Sequence, residues 1–386
     1  MGKQTSYPPF ARQAKDFVDF INDGLDGYPE SKTKTLPVTL YTDEARLKDE
    51  KQAIFDKAPI IVGHISMLQK PGDHFTFDHL DKPLLIVRGK DDRVRVFLNV
   101  CRHRGTRLSN AEDVTRKPSF VCQYHNWVYD LDGTLSHVPL EETFEGIDLT
   151  CRSLTALPCK VEGGFIFTCL DPESDVDIKA FLGELAEDFE AFDMADQVFF
   201  DRSVRTKKAN WKLVIEAFED GYHVIRLHRN TVGPMFLDSV SHISRIGDNL
   251  RSIVARSTFH DMRAKPQSHW NYREDMTFAY FLFPNTIIIM HPDYISHLGV
   301  YPTAPDECVC IHTCLIGKTP GSEKEQAHFE RAFAIIDEGV FNAEDFHVCE
   351  QAQTGMTSGA NEYFPLGHHE IGIGLFHDIL NEHLDG

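Results

Sequence analysis

The spacing of hydrophobic and polar positions changes near residue 58 and again near residue 171. Before the first change, FARQAKDFVDFINDGL at 10–25 carries apolar residues at helical intervals, which predicts an N-terminal helical segment over residues 1–45. Between the two changes, short runs rich in β-branched and aromatic residues alternate with turn signals at KDD and LDG. This texture predicts an all-β domain over residues 46–171.

Beyond Asp171 the hydrophobic period lengthens, and helical stretches alternate with strand-like ones. The helical patterns cover IKAFLGELAEDFEAF at 178–192, a long segment that starts at Trp211, and residues 323–355, which indicate two helices. The strand-like patterns cover residues 199–209 and much of 250–315. The chain is therefore predicted to be an α+β protein whose second domain, residues 172–386, combines helices with a sheet.

Composition narrows the functional classes. The 386 residues carry a formal net charge of −20, so no basic surface is available to neutralise the phosphates of a nucleic acid. No apolar run reaches the length of a membrane span, and the N-terminus lacks the apolar core of a secretory signal. Nine cysteines without such a signal predict reduced thiols or metal ligands in the cytoplasm. The initial MGKQTS matches the N-myristoylation pattern, although nothing basic or amphipathic supports it.

Two short stretches inside the predicted all-β domain each carry one cysteine and one histidine. NVCRHRG contains Cys101 and His103, and VCQYH contains Cys122 and His125. A zinc finger usually groups its cysteines together and its histidines together, whereas a cluster of two irons can take one sulfur and one nitrogen from each loop. Two cysteines on one iron and two histidines on the other is the ligation of a Rieske [2Fe–2S] cluster. A structural zinc ion and a chance grouping in β-loops are the alternatives.

The segment NWKLVIEAFEDGYHVIRLH at 210–228 holds the second candidate site. Glu216, Asp220 and His223 are spaced i, i+4 and i+7, which predicts that they share one face of a helix. His228 lies five residues beyond His223, so both can bind one metal only if the helix ends or distorts between them. Two imidazoles with one carboxylate and open coordination positions are typical of non-haem Fe(II) oxygenases.

Together with their neighbours, CRHRG, CQYHNWVYDLDG and the D-x-x-H-x4-H pattern at 220–228 resemble the Rieske non-haem iron oxygenases, and in particular their catalytic alpha subunits. These are the aromatic ring-hydroxylating enzymes, and the resemblance runs from about residue 55 to the end of the chain. It implies an all-β Rieske [2Fe–2S] domain followed by a catalytic domain of helices and a large antiparallel sheet. The chain departs from the family at Gln123 and Asn126, where Pro and Gly are usual.

The resemblance also implies the ligands of a mononuclear iron. His223 and His228 match the two iron-binding histidines of the family. FNAEDFHVCEQAQTG at 341–355 resembles the family's closing segment, which makes Asp345 the carboxylate ligand and Glu344 the next candidate. A different interpretation of this segment has Asn342 cap a helix, with Asp345 as an acid of its first turn.

In the family, the aspartate before the two histidines is usually an electron-transfer bridge and not a ligand. Carried over, Asp220 would hydrogen-bond His223 of its own chain and His125 of the partner subunit. A bridge that crosses subunits implies a head-to-tail homotrimer. Whether a small β subunit joins it stays open, and the modest length of this chain favours the homotrimer.

The activity implied by the resemblance is that of a terminal oxygenase component. Electrons would come from NADH or NADPH through a separate reductase, in some systems with a ferredoxin. The sequence has no dinucleotide-binding fingerprint of its own, and we expect no NAD(P) or flavin site in this chain. The expected reaction uses O2 at Fe(II) to hydroxylate or cis-dihydroxylate an aromatic or other hydrophobic molecule, as in aromatic hydrocarbon catabolism.

Other functions fit the same patterns. The alternative reaction is O- or N-demethylation, or oxidation of a quaternary amine held by an aromatic cage. The non-enzymatic alternatives are an electron carrier that has lost its iron site and a zinc-stabilised binding module.

The apolar runs of the second domain supply candidates for the substrate pocket, namely Phe236, Phe281, Phe283 and Met290. Alternation along a strand places half of such a set in the core. CVCIHTC at 308–314 would put three cysteines and one histidine on the same face of a strand. A flat strand face does not easily surround a tetrahedral ion, so these residues are expected to pack and not to bind metal.

Overall fold

The computed structural model describes residues 10–22 and 33–385, which form two units. One unit is residues 55–178, and the other consists of the described residues before and after it. The predicted domain boundaries, after residues 45 and 171, each lie fewer than ten residues before these divisions. The myristoylation pattern, and the parts of the predicted N-terminal helical segment in 1–9 and 23–32, lie outside the described residues.

Short elements make up the N-terminal part of the chain. They are α1 (Ala11–Asn22), β1 (Lys34–Pro37), α2 (Thr39–Thr42) and α3 (Glu44–Glu50), and a π-helical turn follows at Lys51–Phe55. Glu50 is fully buried and accepts hydrogen bonds from the Lys212 ammonium (2.7 and 2.9 Å) and from Trp211 Nε1 (2.9 Å). A buried charge needs such partners, so these contacts fix α3 to the first turn of the helix that leads to the functional site.

Residues 55–178 are built from short antiparallel strands. They are β2 (Ile60–His64), β3 (Asp73–Phe77), β4 (Leu84–Arg88), β5 (Val94–Leu98), β6 (Thr115–Arg116), β7 (Phe120–Val121), β8 (Val128–Tyr129), β9 (Leu135–His137), β10 (Ala156–Leu157), β11 (Cys159–Glu162) and β12 (Phe165–Thr168). They pair in a five-stranded sheet of order β10-β5-β4-β3-β6 and in two three-stranded sheets, β11-β12-β2 and β7-β8-β9. The prediction of an all-β domain is confirmed. Its core includes Cys101 and Cys122, packed with Phe120, Trp127 and Tyr129.

The other unit combines helices with a seven-stranded antiparallel sheet, as predicted. Its further elements are α4 (Ile178–Leu182), α5 (Leu185–Ala191), β13 (Val198–Lys207), α6 (Trp211–Glu219), α7 (Val224–Leu227), β14 (Phe236–Ile246), β15 (Asn249–Arg256), α8 (Phe259–Arg263), α9 (Tyr272–Asp275), β16 (Met276–Leu282), β17 (Thr286–Met290), β18 (Tyr294–Ala304), β19 (Glu307–Ile316), α10 (Glu323–Ala334), a π-helical segment (Ile335–Asp345), α11 (Phe346–Met356), β20 (Tyr363–Leu366) and α12 (Ile371–Asp385). The order of the large sheet is β13-β19-β18-β17-β16-β15-β14, so strands β14 to β19 pair with their neighbours in sequence. Of the described helices, none combines the length and apolar character needed to span a bilayer.

Three helical predictions need correction. The helix predicted over 178–192 is divided into α4 and α5 because Gly183, at φ +55°, ends the first of them. The long helix predicted from Trp211 ends at Glu219. The two helices predicted over 323–355 belong to one continuous helical run, with the π-helical segment between α10 and α11. The second and third of these irregularities position candidate metal ligands.

Candidate metal centres and substrate cavity

The two Cys/His loops of the all-β unit follow the same backbone plan. In each loop, the residue four positions after the cysteine donates its N–H to the cysteine carbonyl at 2.9 Å, and the cysteine N–H donates to the carbonyl five positions on at 2.8 Å. The residues at the fourth position are Gly105, at φ +79°, and Asn126, at φ +57°. Asparagine tolerates this left-handed conformation better than most residues do. The departure from glycine at Asn126 therefore preserves the turn.

Four side-chain atoms of these loops are suited to a two-iron cluster. The thiols of Cys101 and Cys122 are buried, and the rings of His103 and His125 lie 4.5 Å apart, centre to centre. Both histidine Nδ1 atoms are buried and have no hydrogen-bond partner. A buried polar atom is normally paired, so two ring nitrogens without hydrogen-bond partners, in loops that also carry two buried thiols, indicate a binding site for a cation. The donor set fits a [2Fe–2S] cluster with Rieske ligation.

Aromatic side chains hold the donors in place. The ring of His103 stacks on Trp127 at 4.8 Å with an interplanar angle of 5°, and meets the edge of Phe144. The hydroxyl of Tyr129 accepts a hydrogen bond from the Arg102 N–H (2.9 Å) and lies 3.4 Å from Cys101 Sγ. Burial, and then the neighbouring His125, lower the pKa of His103, which favours the neutral imidazole that metal binding requires.

The second candidate site depends on the end of α6. Asp220 has an extended backbone (φ −111°, ψ 107°), and its Oδ1 accepts the N–H of Tyr222 at 2.6 Å. This side-chain turn competes with helix formation, and Gly221 is a poor helix former, so the helix stops before His223. The predicted common helix face of Glu216, Asp220 and His223 is therefore wrong. The end of the helix, predicted to lie between His223 and His228, instead lies before both histidines.

One short helix, α7, separates the two histidines and brings their rings together. The N–H of His228 donates to the carbonyl of Val224, and the rings of His223 and His228 lie 5.1 Å apart at an interplanar angle of 76°. Glu216, which the helix-face prediction grouped with them, is instead bonded to His377 Nε2 (2.7 Å) in the core.

Asp345, the last residue of the π-helical segment, completes the group. Its Oδ1 lies 3.1 Å from His228 Nε2 and 3.6 Å from His223 Nε2, yet this buried oxygen makes no hydrogen bond. One donor atom from each of the three residues lies within 4.8 Å of the others. Two imidazole nitrogens and a carboxylate oxygen that converge in this way fit the facial triad of a non-haem iron site.

The second nitrogen of each histidine is held by a carboxylate. His223 Nδ1 lies 3.3 Å from Asp220 Oδ2, and His228 Nδ1 lies 2.8 Å from Glu344 Oε2, which also accepts from the Thr231 hydroxyl at 2.7 Å. Such partners fix the ring and leave Nε2 free for a metal. Glu344, the other candidate for the third ligand, therefore orients His228. Sequence reasoning missed this role because the pairing spans 116 residues.

The alternative interpretation of Asn342 as a helix cap is wrong. Asn342 lies inside the π-helical segment, and its side chain accepts a hydrogen bond from Lys207 Nζ at 2.6 Å. The wider turn of a π-helix is common at functional sites. Here it ends where Glu344 and Asp345 reach both histidines from consecutive positions.

Electrostatics at this group favour a cation. Burial, the largest single effect, lowers the pKa of His228, but the neighbouring Asp345 and Glu344 carboxylates outweigh it and raise the pKa. A proton and a metal ion would therefore compete for His228, as is usual when a metal displaces protons from its ligands.

A cavity of about 360 Å³ opens beside the three residues. Its walls come from the end of α6, α7, strands β14 to β18, the end of α10 and the π-helical segment. Most of the lining is apolar, and its aromatic members are Phe218, Phe236, Tyr294 and Phe341. The sequence could not identify this cavity because its residues come from nine separate elements.

Of the predicted pocket residues, only Phe236 lines the cavity. Phe281 packs edge-on against Phe376 of α12, and Phe283 stacks on His383 of the same helix, so α12 covers this end of the sheet face. Met290 is adjacent in sequence to the lining residue Ile289 and therefore points to the opposite face of β17. These three residues belong to the core, and their assignment to the pocket is corrected.

The cysteine-rich strand at 308–314 does not assemble a metal site. His312 uses both ring nitrogens, with Nδ1 at 2.9 Å from Asp337 Oδ1 and Nε2 at 2.9 Å from Ser296 Oγ. Cys308 and Cys310 contact each other through sulfur at 3.9 Å, without a disulfide.

Two known protein families match this chain. The family model of the ring hydroxylating alpha subunit (catalytic domain) matches residues 191–386, and that of the Rieske [2Fe–2S] domain matches residues 58–155. The carnitine monooxygenase oxygenase subunit of Escherichia coli (strain K12) is 28% identical over 359 residues, covering 90% of this chain and 92% of the relative. The chloroplastic choline monooxygenase of Amaranthus tricolor is 27% identical over 362 residues, covering 91% of this chain and 78% of the relative.

A solved structure shows the same fold. The quaternary ammonium Rieske monooxygenase in complex with its substrate L-carnitine superposes with a TM-score of 0.78 and 23% sequence identity. The superposition covers 90% of this chain and 95% of that chain.

Replacing Glu344 with alanine should weaken the candidate iron site without affecting the cluster. His228 Nδ1 would lose its acceptor, and loss of such a partner typically lowers metal affinity by about 10- to 100-fold. Titrating Fe(II) into iron-depleted protein against a competing chelator measures the change, and the visible absorbance of the cluster reports on the integrity of the other site. Glu338→Ala is the matched control, since Glu338 lies on the same segment but contacts Arg205 and Asn342. Equal Fe(II) affinity of Glu344→Ala and the wild type would contradict the orienting role.

Proposed function

This chain belongs to the ring-hydroxylating oxygenase alpha subunits that carry a Rieske domain, and on that basis we propose that it is the oxygenase component of a monooxygenase for a quaternary ammonium compound. It is an oxidoreductase that incorporates O2, and its cofactors are a Rieske [2Fe–2S] cluster and a mononuclear iron. The expectation of a Rieske oxygenase is confirmed. Relatives that act on carnitine and choline favour the quaternary amine, the alternative substrate class, over the aromatic hydrocarbon of the leading expectation.

One observation carries the proposal: the candidate iron ligands and four aromatic side chains line the same apolar cavity. The aromatic residues are Phe218, Phe236, Tyr294 and Phe341. Aromatic rings attract a trimethylammonium group through its positive charge, at about 0.5–2 kcal/mol per good contact. The apolar walls would also suit its methyl groups. An aromatic hydrocarbon would also pack against the apolar walls, but it carries no charge to pair with Glu219 or Arg256 of the same cavity.

We assign the ligands from the bare donor atoms. Cys101 and Cys122 would bind one iron of the cluster through sulfur, and His103 and His125 would bind the other through Nδ1. His223, His228 and Asp345 would hold the mononuclear iron. When bound, these groups supply one-electron transfer and the reduction of O2, with one oxygen atom inserted into the substrate and the other released as water.

We also propose that Asp220 links the two sites across subunits. If Nδ1 of His125 binds the cluster, its Nε2 is left for a partner, and His125 lies near the surface beside Tyr124, which is 57% exposed. Asp220 already contacts His223 and lies near Tyr222, which is 47% exposed. An aromatic surface residue at each end of the link suits docking between copies of the chain, so a head-to-tail homotrimer is proposed.

The remaining partners follow from the family. A separate NAD(P)H-dependent reductase, with or without a ferredoxin, would reduce the cluster, and an additional β subunit stays open. We place the protein in the cytoplasm, a proposal supported by its nine cysteines, all within the described residues and none in a disulfide.

A single-turnover experiment tests the activity without the unidentified reductase. The protein is reduced with dithionite, freed of excess reductant and exposed to ¹⁸O2 with carnitine, choline, glycine betaine or naphthalene. The proposal predicts that a quaternary ammonium compound yields an aldehyde with one ¹⁸O atom, detected after immediate reduction to the alcohol so that the label does not exchange with water, whereas naphthalene yields no product. Product from naphthalene alone would contradict the proposed substrate class.

Replacing Asp220 with asparagine should block electron transfer while both metal sites stay filled. The carboxylate that would join His223 to His125 of the partner subunit is lost, so we expect product per single turnover to form at least about 100-fold more slowly. Rapid-quench product analysis and cluster re-oxidation followed by absorbance measure this rate. Asp238→Asn is the control, because Asp238 is an exposed acid paired with Arg226 nearby. An unchanged rate, or loss of iron from Asp220→Asn, would contradict the bridging role.

A further inference from the structure

Arg256, at the end of β15, brings a positive charge to the cavity without a carboxylate in direct contact with it. Its Nη1 donates to Thr277 Oγ1 (3.2 Å) and its Nη2 contacts Met235 Sδ (3.7 Å). The guanidinium lies 5.3 Å from the centre of the Phe236 ring. Within the described residues, no Asp or Glu oxygen lies at ion-pairing distance from it. Asp275, opposite Arg256 beyond the β15–β16 pairing, attracts the guanidinium electrostatically but forms no ion pair with it, so the charge is only partly offset within the protein.

Two other arginines of the β14–β15 hairpin are paired with carboxylates, as buried or half-buried arginines usually are. Arg251 pairs with Asp188 at 2.6 Å, and Arg245 pairs with Glu382 at 2.5 Å. Burial lowers the pKa of Arg256, so the cavity opposes its charge, yet a guanidinium stays protonated in proteins. A ligand that supplies an anion would offset this cost. A carboxylate matches the planar fork of arginine best, because it can accept two parallel hydrogen bonds.

Glu219 is the corresponding unpaired acid of the cavity. It is the last residue of α6, lines the cavity, and is only 3% exposed. Its Oε2 is buried and has no hydrogen-bond partner. Burial alone raises the pKa of this carboxyl to about 8. A buried acid without a partner is uncommon and indicates that a cation supplied by a ligand belongs beside it.

The two charged residues lie toward opposite ends of the cavity. Glu219 lies near Ile243 of β14, because both residues border Gly372 of α12. A methyl group added at Gly372 would lie 3.1 Å from Glu219 Cβ and 2.8 Å from Ile243 Cδ1. Ile243 pairs with Ser252 across the β14–β15 hairpin, and Arg256 is four residues farther along β15. Four residues of strand span about 13 Å. The arrangement suits a ligand whose opposite charges are several ångströms apart.

We propose that the cavity binds a zwitterion, with the substrate carboxylate on Arg256 and its trimethylammonium group between Glu219 and the aromatic pair Phe218–Phe341. The two rings of this pair meet edge to face at 5.1 Å. Phe341 and Asp345 belong to the same π-helical segment, and Glu219 directly precedes Asp220, which contacts His223, so the ammonium end lies toward the candidate iron ligands. This inference rests on the proposed function and narrows it from quaternary amines in general to those that carry a carboxylate.

Three ligands of the same shape separate the two charges. γ-Butyrobetaine, a substrate of the structurally similar monooxygenase, has both charges. Butyltrimethylammonium keeps the cation and lacks the carboxylate, and 5,5-dimethylhexanoate keeps the carboxylate but has a tert-butyl group in place of trimethylammonium. Calorimetric titration of each into the anaerobic holoprotein gives a dissociation constant that does not depend on turnover.

The wild type should bind γ-butyrobetaine at least about tenfold more tightly than either analogue, since a hydrogen bond to a charged group contributes about 1.5–3 kcal/mol. Arg256→Gln should weaken binding of γ-butyrobetaine and 5,5-dimethylhexanoate about tenfold or more and leave butyltrimethylammonium unchanged. Glu219→Gln should weaken only the two trimethylammonium ligands. Arg245→Gln, which removes a paired arginine of the same hairpin outside the cavity, should change none of the three constants.

The outcomes distinguish this inference from the function on which it rests. If the two trimethylammonium ligands bind equally and Arg256→Gln weakens both or neither, the inference is overturned while a quaternary amine substrate stands. If Glu219→Gln weakens binding of 5,5-dimethylhexanoate as much as binding of γ-butyrobetaine, the proposed contact between the Glu219 carboxylate and the trimethylammonium group is overturned. If no trimethylammonium ligand binds, the proposed function fails together with the inference. Cluster absorbance of each variant confirms that the protein is folded.

Discussion

Buried lone pairs without hydrogen-bond donors are costly, and this chain holds them at both of its candidate metal sites. They are His103 Nδ1 and His125 Nδ1 in the all-β unit and Asp345 Oδ1 in the other unit. Contacts made by other parts of the same residue hold each atom in place. For example, Trp127 stacks on the ring of His103. A metal cation is the partner that would satisfy them, so much of the local structure is explained by the need to hold donors ready for one.

The catalytic unit achieves this with two interruptions of regular helix. Ending α6 at Asp220 releases the chain so that His223 and His228 can converge, and the π-helical segment ends with Glu344 and Asp345 directed at them. Each carboxylate has a separate task, since Glu344 orients a ring and Asp345 offers a bare oxygen. The same elements form part of the cavity wall, so Glu219 and the candidate metal ligands line one cavity.

Sequence reasoning succeeded where chemistry is local. The Cys–x–His and Cys–x2–His pairs, together with their neighbours, pointed to the Rieske domain that the family model matches, and strand periodicity identified the all-β unit. It failed where the local structure or the exposure of a residue depends on contacts that its periodicity does not show. The side-chain turn at Asp220 overrode the apolar helical pattern of α6, and α12 covered Phe281 and Phe283 although they share a strand face with cavity residues. Neither Glu344 nor Arg256 could be assigned before their partners, or lack of them, were located in the fold.

The most direct test of the two-metal account is the iron and sulfide content and the visible spectrum of protein purified without air, beside the His223→Ala variant. The account predicts a red-brown wild type that bleaches with dithionite and holds about three irons and two acid-labile sulfides per chain. His223→Ala should keep the colour and both sulfides and lose about one iron. A colourless protein containing zinc, or a variant that retains all of its iron, would contradict it.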